Sequence, residues 1–557
     1  DNLGIGYNAL AGTIAGGEEN VVVGNNAGDA LTSADGNVIM GHNAGSALTT
    51  GGNNVIIGRE AVQTGVLTGA DNVAIGKEAG KIMTSATENV IVGKAAGKAI
   101  TQGTDNTLIG CKAGESLSTT SSNTFIGRQA GNAATSATEN VIVGSDAVKT
   151  GVLTGNANTV VGQSAGLNMT SAAENVIIGH DAGSALTTAA TNVLIGALAA
   201  SAGTMTGANN VIMGYQSGKN MTSGHDSVFV GENAGRNMNT GQNNVVVGKD
   251  AGANMTGGGN ATIVGYQAGQ SNTAHELVAI GSMAANANTS GDGIVAIGRE
   301  CYDGADTENH NMAIGTGALG GPVAGGENNV AIGNYSLDAL TSGDQNTGIG
   351  YQALTDVTTG GDNTAVGYNS LPNVLAGTDN TGLGLDAGSS ITSGSANICI
   401  GSGANVADAA QDFGIAMGFE ITAAANDFSF GKTSNVVTND FDADANWSRS
   451  SDERLKTNIT NIDWKALDFI NELRPVTFNW KASQDVSNTM VEHNPNKNLM
   501  NTTVTIDGLI AQEVKSAMDK HNINNFGGWK ERQNNEDKEK TQTLSKEAFV
   551  MPLIKAV

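Results

Sequence analysis

The feature that most constrains this chain is a five-residue word that ends in glycine. Residues 89–93, Asn-Val-Ile-Val-Gly, are one copy: an asparagine, three apolar residues and a glycine. The closing glycine recurs from Gly6 to Gly431, and the 24 intervals between Gly6 and Gly418 average about 17 residues. A period this short and regular predicts a solenoid, in which each coil packs on its neighbours and no single large core is needed.

One coil, residues 89–105, shows what a repeat of this length can build. Residues 90–92 are apolar and read as a strand, which Gly93 ends where a left-handed backbone is tolerated only by glycine. The small pair Ala96-Gly97 follows, and a polar return closes the coil. Because this is too short for a strand and a helix, we predict a mostly β protein whose shaft is a parallel β-roll or solenoid with two short strands per coil. Stacked at ~4.8 Å, about 25 coils make a shaft roughly 120 Å long.

The three apolar positions of the word differ in how much they vary. The middle position varies most, and holds Ile91, Ala74, Leu108, Phe125, Gly348 and Cys399. We therefore expect the two outer residues to fill the coil and the variable middle residue to face a neighbouring subunit. The asparagine that opens most words predicts a ladder of stacked amides. A coil this thin buries little apolar area alone, so we expect association, most simply as a trimer.

The shaft also resembles a known class of repeat. The words at residues 72–76 and 329–333, both Asn-Val-Ala-Ile-Gly, are similar to the head repeats of trimeric autotransporter adhesins and of many phage tail fibres. The resemblance covers residues 1–431 and implies a left-handed parallel β-roll, three side by side. The coils here are longer than the usual adhesin coil.

The charge distribution excludes several classes of partner. The net charge of the chain is −25, and residues 1–431 account for −23 of it, with 12 Lys and Arg against 35 Asp and Glu. Such a surface repels nucleic acid and anionic membranes, so we expect neither as a partner. No apolar run reaches the ~18 residues of a membrane span. The three cysteines are too scattered for a disulfide framework or a metal site, and Cys399, in an apolar slot, is expected to be a buried free thiol. We expect no metal and no cofactor.

The composition changes after the shaft. Residues 432–446 read as a polar linker, in which Asp440, Asp442 and Asp444 alternate. These aspartates could bind calcium, but they lack the glycine and closing glutamate of the helix-loop-helix calcium loop, so a solvated linker is favoured. Residues 447–557 are rich in mixed charge and tryptophan, and their patterns predict helices and short strands. We therefore predict a small α+β domain there.

One motif in this domain carries chemistry. Residues 451–456, Ser-Asp-Glu-Arg-Leu-Lys, are similar to the start of the S74 peptidase, or intramolecular chaperone, domain of phage tail spikes, fibres and endosialidases. Three further blocks agree in the family's order, namely residues 473–478, 508–514 and 552–556. The resemblance implies a domain that trimerises the fibre and then cuts itself off before the motif serine. The family usually continues into a helical coiled coil, so we expect the C-terminus here to be truncated.

The residue types suit that reaction. The hydroxyl of Ser451 can attack the carbonyl of Ser450, giving an ester that water cleaves, and a weak hydroxyl needs an activating base. The resemblance gives that role to Lys456, with Asp452 beside it in the site. A lysine acts as a base only where its surroundings lower its pKa. The alternative is a serine at a helix start followed by a solvated run of charges.

These features predict a trimeric fibre that attaches to a host or cell surface, as a virion tail fibre or another extracellular fibre. We expect the partners to be a homotrimer, a cell-surface glycan or protein receptor, and other fibre or tail proteins at a missing N-terminal anchor. No multi-turnover enzyme is expected, only a single self-cleavage of the serine-lysine type. One alternative is a cell-anchored bacterial adhesin. Another is a polysaccharide-depolymerising tail spike, which needs paired carboxylates in a groove. A row of exposed tyrosines could stack on sugars, although plain turn surface is favoured.

Overall fold

A computed structural model describes residues 1–557 except 306, 442–443, 450–452, 454–455, 491–492, 494, 496–501, 504 and 533–539, and the side chains of 444–449. The chain divides into two compact units, Asp1–Ser450 and Ser451–Val557. The first unit is a parallel β-solenoid with coils of about 17 residues, and the second is a small α+β unit, which confirms the predicted fold class. Among the described residues, no helix has the length and apolar character to cross a bilayer.

In the first unit, each coil up to Ile400 contributes one three-residue strand, which pairs in parallel with the strands of the coils before and after it. These strands are β1 Leu3–Ile5, β2 Val21–Val23, β3 Val38–Met40, β4 Val55–Ile57, β5 Val73–Ile75, β6 Val90–Val92, β7 Thr107–Ile109, β8 Thr124–Ile126, β9 Val141–Val143, β10 Thr159–Val161, β11 Val176–Ile178, β12 Val193–Ile195, β13 Val211–Met213, β14 Val228–Val230, β15 Val245–Val247, β16 Thr262–Val264, β17 Val278–Ile280, β18 Val295–Ile297, β19 Met312–Ile314, β20 Val330–Ile332, β21 Thr347–Ile349, β22 Thr364–Val366, β23 Thr381–Leu383 and β24 Ile398–Ile400.

The rest of each coil is mainly turn, which differs from the predicted second strand. In the coil of β6, Ala95 and Gly97 have φ values of 54° and 53°. Two left-handed residues so close together break an extended run. In the described coils up to β24, only isolated bridges such as that between Leu48 and Leu67 remain on this side.

From β2 to β24 the middle residue of each strand points into the coil, so the expected orientation of the word was wrong. Ile91 is fully buried, whereas Val90 is 37% exposed. A strand of three residues can send only its centre to one face and must send both ends to the other. Side chains inside the coil must fit closely against the return segment. A Cβ on Gly131 would lie 2.5 Å from the ring of Phe125, so that large residue sits opposite a glycine.

The predicted asparagine ladder is confirmed. Asn106 is buried, and its Nδ2 donates to Asn89 Oδ1 at 2.9 Å and to the carbonyl of Thr120 at 2.8 Å. Its own Oδ1 accepts a hydrogen bond from Asn123 Nδ2 at 3.0 Å. Buried amides satisfied in this way tie each coil to the next. The amide ladder is interrupted where the word loses its asparagine, as at Ser227, Ala261, Leu277 and Ile294.

The solenoid ends in a folded segment where we expected the linker 432–446. The last coils carry β25 Asn405–Val406, β26 Ile415–Phe419, β27 Thr422–Ala423 and β28 Asp427–Lys432. Then β29 Asn435–Asp440 pairs antiparallel with β28, and β30 Asp444–Arg449 pairs antiparallel with β29. The chain reverses through Ser434, whose φ is 70°. The polar composition reflects the place of this hairpin at the end of the parallel sheet, where polar strands cover an open edge. Asp442 lies outside the described residues.

The second unit packs three short helices against two small antiparallel sheets. Its elements are α1 Ala466–Glu472, β31 Val476–Phe478, β32 Ile506–Gly508, α2 Ala511–Lys520, β33 Trp529–Arg532, β34 Thr541–Leu544 and α3 Val550–Ala556, with short 3-10 helices at Ser483–Asp485 and Lys546–Phe549. Its core is aromatic. Phe469 is fully buried, with its ring centroid 5.4 Å from that of Trp464 and 5.5 Å from that of Phe526.

Candidate functional site

The structure describes one of the three predicted catalytic residues. Ser451 and Asp452 lie outside the described residues. Lys456 is exposed, and its backbone N–H donates to the carbonyl of Glu453 at 3.0 Å. The arrangement of Ser451, Asp452 and Lys456 therefore stays a prediction from the motif.

The second and third motif blocks, far apart in sequence, meet in the fold. Strand β31 of the second block pairs with β32, so that Val476 lies opposite Gly508 of the third block. Beside this pairing, Arg474 Nε and Nη2 donate to the two carboxylate oxygens of Glu513 at 3.2 and 2.5 Å. A two-point arginine–carboxylate contact fixes orientation as well as distance. The hydrogen bonds from Arg474 lower the pKa of Glu513 below its ordinary value near 4.5.

The fourth block joins the same unit from the C-terminal side. Phe549, just before α3, lies with its ring centroid 4.8 Å from that of Phe526 and 6.4 Å from that of Phe469. Pro552 of the block is buried. Lys546 Nζ donates to the carbonyl of Asp507 at 2.7 Å, which links this end of the chain to β32. The three described blocks therefore build one packed unit.

Sequence reasoning missed two parts of this unit. The first is the aromatic cluster around Phe469, which the enrichment of this region in tryptophan could have indicated. The second is an ion pair in which Lys520 Nζ donates to Glu472 Oε1 at 2.6 Å and lowers the pKa of that carboxyl. The two residues are 48 positions apart in the sequence, so no local sequence pattern predicts their contact.

An apolar groove of about 970 Å³ opens on this unit. Its walls include Pro475 and Phe478 from the second block, Leu509 and Ile510 from the third, and Trp480, which is 47% exposed. Its largely apolar lining suits a hydrophobic ligand or an apolar segment of protein. Among the described residues, no group of three or more His, Cys, Asp or Glu side chains is arranged to hold a metal ion.

The shaft holds two other candidate features, a cysteine and a row of tyrosines. Cys399 is a buried free thiol, as predicted, and burial raises its pKa to about 12, which leaves it unreactive at neutral pH. Tyr335, Tyr351 and Tyr368 form an exposed row, with ring centroids 6.1 and 5.2 Å apart along it. Tyr351 and Tyr368 stack, so each covers one ring face of the other.

Comparison with known families agrees with the motif. Residues 451–523 match the peptidase S74 family, described as the chaperone of endosialidase. No curated protein matched the chain in sequence. No solved structure matched it either. The match begins at the first residue of the second compact unit and includes the first three motif blocks. The chain thus joins a β-solenoid shaft to a C-terminal S74 chaperone domain, a combination that fits a structural fibre with an intramolecular chaperone.

The Arg474–Glu513 contact predicts a pH-dependent stability. Because the folded-state pKa of Glu513 is lowered, its stabilisation is present above pH about 4.5 and is lost as the pH falls through the folded-state value. We expect Glu513→Gln to lower the melting temperature of the second unit slightly at pH 7, since the pair is exposed, and not at pH 3. Tryptophan fluorescence measures this melting, because three of the four tryptophans lie in the unit. The control is Glu547→Gln, an exposed glutamate outside this pair. An equal destabilisation by Glu513→Gln at both pH values would contradict the prediction.

Proposed function

We propose that this chain is the subunit of a homotrimeric extracellular or virion tail fibre that attaches to a cell surface. In this proposal the solenoid supplies the shaft, and the second unit is an intramolecular chaperone that assembles the trimer. The observation that carries the proposal is the position of the S74 match, which begins where the solenoid unit ends.

The shaft itself explains why a separate assembly domain is useful. Its words are nearly identical, and strands such as β6 and β9 have the same sequence, Val-Ile-Val. Copies that pair one coil out of register would therefore lose little contact, so the shaft specifies its own register weakly. A domain with a unique, non-repetitive core can set the register before the coils pack.

Self-cleavage before Ser451 is the second part of the proposal. The Ser451 hydroxyl attacks the carbonyl carbon of Ser450, and the peptide C–N bond breaks as its electrons pass to the nitrogen. This leaves an ester and a free amino group, and water then hydrolyses the ester to release the Ser450 carboxylate. Lys456 is the proposed base and Asp452 its neighbour. The released shaft keeps β28, β29 and β30, so cleavage leaves the solenoid capped. A trimer that has lost its assembly domain cannot easily rearrange, and its persistence becomes kinetic.

Attachment to a cell is the least specified part. We propose a glycan or protein receptor on the host surface, and further fibre or tail proteins as the other attachment point. The strong negative charge of residues 1–431 supports an extracellular surface receptor over nucleic acid as the partner.

The assembly role predicts that damage to the second unit prevents trimer formation by the shaft. In the full chain, Phe469→Asp puts a carboxylate into the aromatic core, where the side chain is fully buried. The matched control, Asn471→Asp, adds the same charge on the exposed face of the same helix. We expect light scattering after size exclusion to give a trimeric mass for the wild type and Asn471→Asp. For Phe469→Asp we expect monomers or aggregates.

Trimer formation by Phe469→Asp, with the second unit shown to be unfolded by tryptophan fluorescence, would overturn the assembly role. Attachment has its own test, in which fluorescently labelled wild-type fibre is sedimented with intact bacterial cells. If no strain in a broad panel retains the fibre above the Phe469→Asp background, the attachment part fails and a structural fibre remains.

A further inference from the structure

The outer face of the long parallel sheet is an extended surface that runs along the described coils. In β2–β24 the middle residue is buried, while both outer residues are partly or fully exposed. The outer residues therefore form two columns that run from coil to coil along the solenoid. Met213, at the third position of β13, is 37% exposed, and Val245, at the first position of β15, is 39% exposed.

The composition of these columns is unusual for a surface. The third position of every strand from β2 to β24 is Val, Ile, Met or Leu, and the first position is Val, Ile, Met or Thr. No charged residue occurs in either column, although residues 1–431 hold 47 charged Lys, Arg, Asp and Glu residues. Monomeric proteins rarely expose contiguous apolar patches larger than a few hundred Å², so a surface of this kind marks an interaction site.

We infer that this uncharged sheet face is the surface through which copies of the chain pack against each other in the shaft. The inference rests on the proposed trimer and names its interface. The sequence alone suggested that the middle residues of the strands face a neighbouring subunit. The sheet face is assigned in their place, because the side chains of the middle residues are enclosed in their own coil.

Charge identifies the partner as another copy of the chain. Two shafts with a net charge of −23 each repel one another, so close approach costs least through a face that carries no charge. A cationic partner would instead be attracted to the acidic faces, where carboxylates such as Glu88 and Asp105 lie on successive coils. The neutrality of the sheet face therefore favours a partner with the same acidic surface.

Size and repeat spacing support the same choice. At roughly 50 Å² for each partly exposed side chain, 23 strands with two such residues expose on the order of 2,000 Å² per copy, compared with ~800 Å² per partner in a standard stable interface. The columns repeat once per coil over the whole length of the sheet. A second copy has that same spacing and length, so every coil of one chain meets an equivalent coil of the other.

Cysteine cross-linking of the full chain tests this assignment. The exposed native thiol is first removed by Cys111→Ser, and Cys301 and Cys399 are buried. Val211→Cys and Met213→Cys then place one thiol in the first or the third column of β13. Ser223→Cys, an exposed position on the return segment of the same coil, is the matched control. We expect oxidation or a short bismaleimide to link chains covalently in at least one column variant and at least tenfold less in the control.

Light scattering separates failure of this inference from failure of the proposed function. If the wild-type chain has the mass of a monomer, the proposed trimer fails and the interface with it. If the chain is trimeric but neither column variant cross-links above Ser223→Cys, the trimer stands and the sheet face is not its interface. A second variant set, Met40→Lys, Ile178→Lys and Ile280→Lys together, is expected to lower the trimer fraction severalfold. An unchanged trimer fraction in this set would also overturn the assignment.

Discussion

A Ser451→Ala chain is expected to run as a single 56.1 kDa band on a denaturing gel after assembly, where the wild type gives two products. The wild-type products are residues 1–450 and 451–557, because the proposed cut lies between Ser450 and Ser451. Alanine removes the only atom of residue 451 that can attack the carbonyl carbon of Ser450. The loss is therefore expected to be complete, which makes this one of the two largest effects predicted for the molecule. Intact-mass spectrometry of the products locates the cut to the residue.

The role of Lys456 has a finer test, since Lys456→Arg keeps the positive charge but replaces a possible base with a group that stays protonated. We expect cleavage in Lys456→Arg to slow by at least a hundredfold, in line with the usual contribution of a general base. Lys465→Arg and Ser487→Ala change exposed residues elsewhere in the unit and are expected to cleave like the wild type. Two results would reject the peptidase proposal: a wild-type trimer that stays uncut, or a Ser451→Ala chain that is cut at the same bond.

The sequence was sufficient to predict the solenoid because its period is visible without any three-dimensional information. Residues 90–92 identify the strand, and Gly93 identifies its end. The direction of the side chains was not predictable from the word alone. Because side chains alternate along a strand, Ile91 points to one face of the sheet and Val90 and Val92 point to the other. This alternation does not determine which face is buried inside the coil. Variability of the middle position does not indicate exposure, because Phe125 is fully buried and lies against Gly131.

Local motifs predicted the identity of the domain and its candidate site residues, but they did not predict the long-range contacts between them. The run from Ser451 to Lys456 and the three later blocks identified the domain, and the family match at 451–523 agrees with them. The contact of Arg474 with Glu513 joins residues 39 positions apart and depends on the pairing of β31 with β32. No spacing rule gives that contact in advance. The hairpin at 435–449 was missed for a related reason, because its polar residues suit an edge strand as well as a linker.

Gly110→Ala is expected to disrupt the stacking of its coil on the next one. Gly110 closes the word of β7 with a φ of 138°, a backbone conformation that alanine adopts only with strain of about 1–3 kcal/mol. An added Cβ would also lie 2.3 Å from the carbonyl oxygen of Gly127, the equivalent glycine of the next coil. The obstacle is backbone, so the clash is relieved only if the two coils move apart. We expect a local destabilisation of at least about 2 kcal/mol.

A long repeat array does not unfold in a single step, so a local probe is needed to see this effect. The amide of Gly127 donates to the carbonyl of Ile109 at 2.8 Å across the disturbed contact, and its hydrogen exchange should accelerate at least thirtyfold in Gly110→Ala. Gly257→Ala is the matched control, because its new Cβ meets nothing closer than Thr240 Oγ1 at 3.7 Å. Both substitutions lower the conformational entropy of the unfolded chain in the same way. This effect by itself stabilises the folded state by about 0.4–1 kcal/mol. Equal exchange of the Gly127 amide in Gly110→Ala and the wild type would mean that the closing glycines do not set the coil spacing.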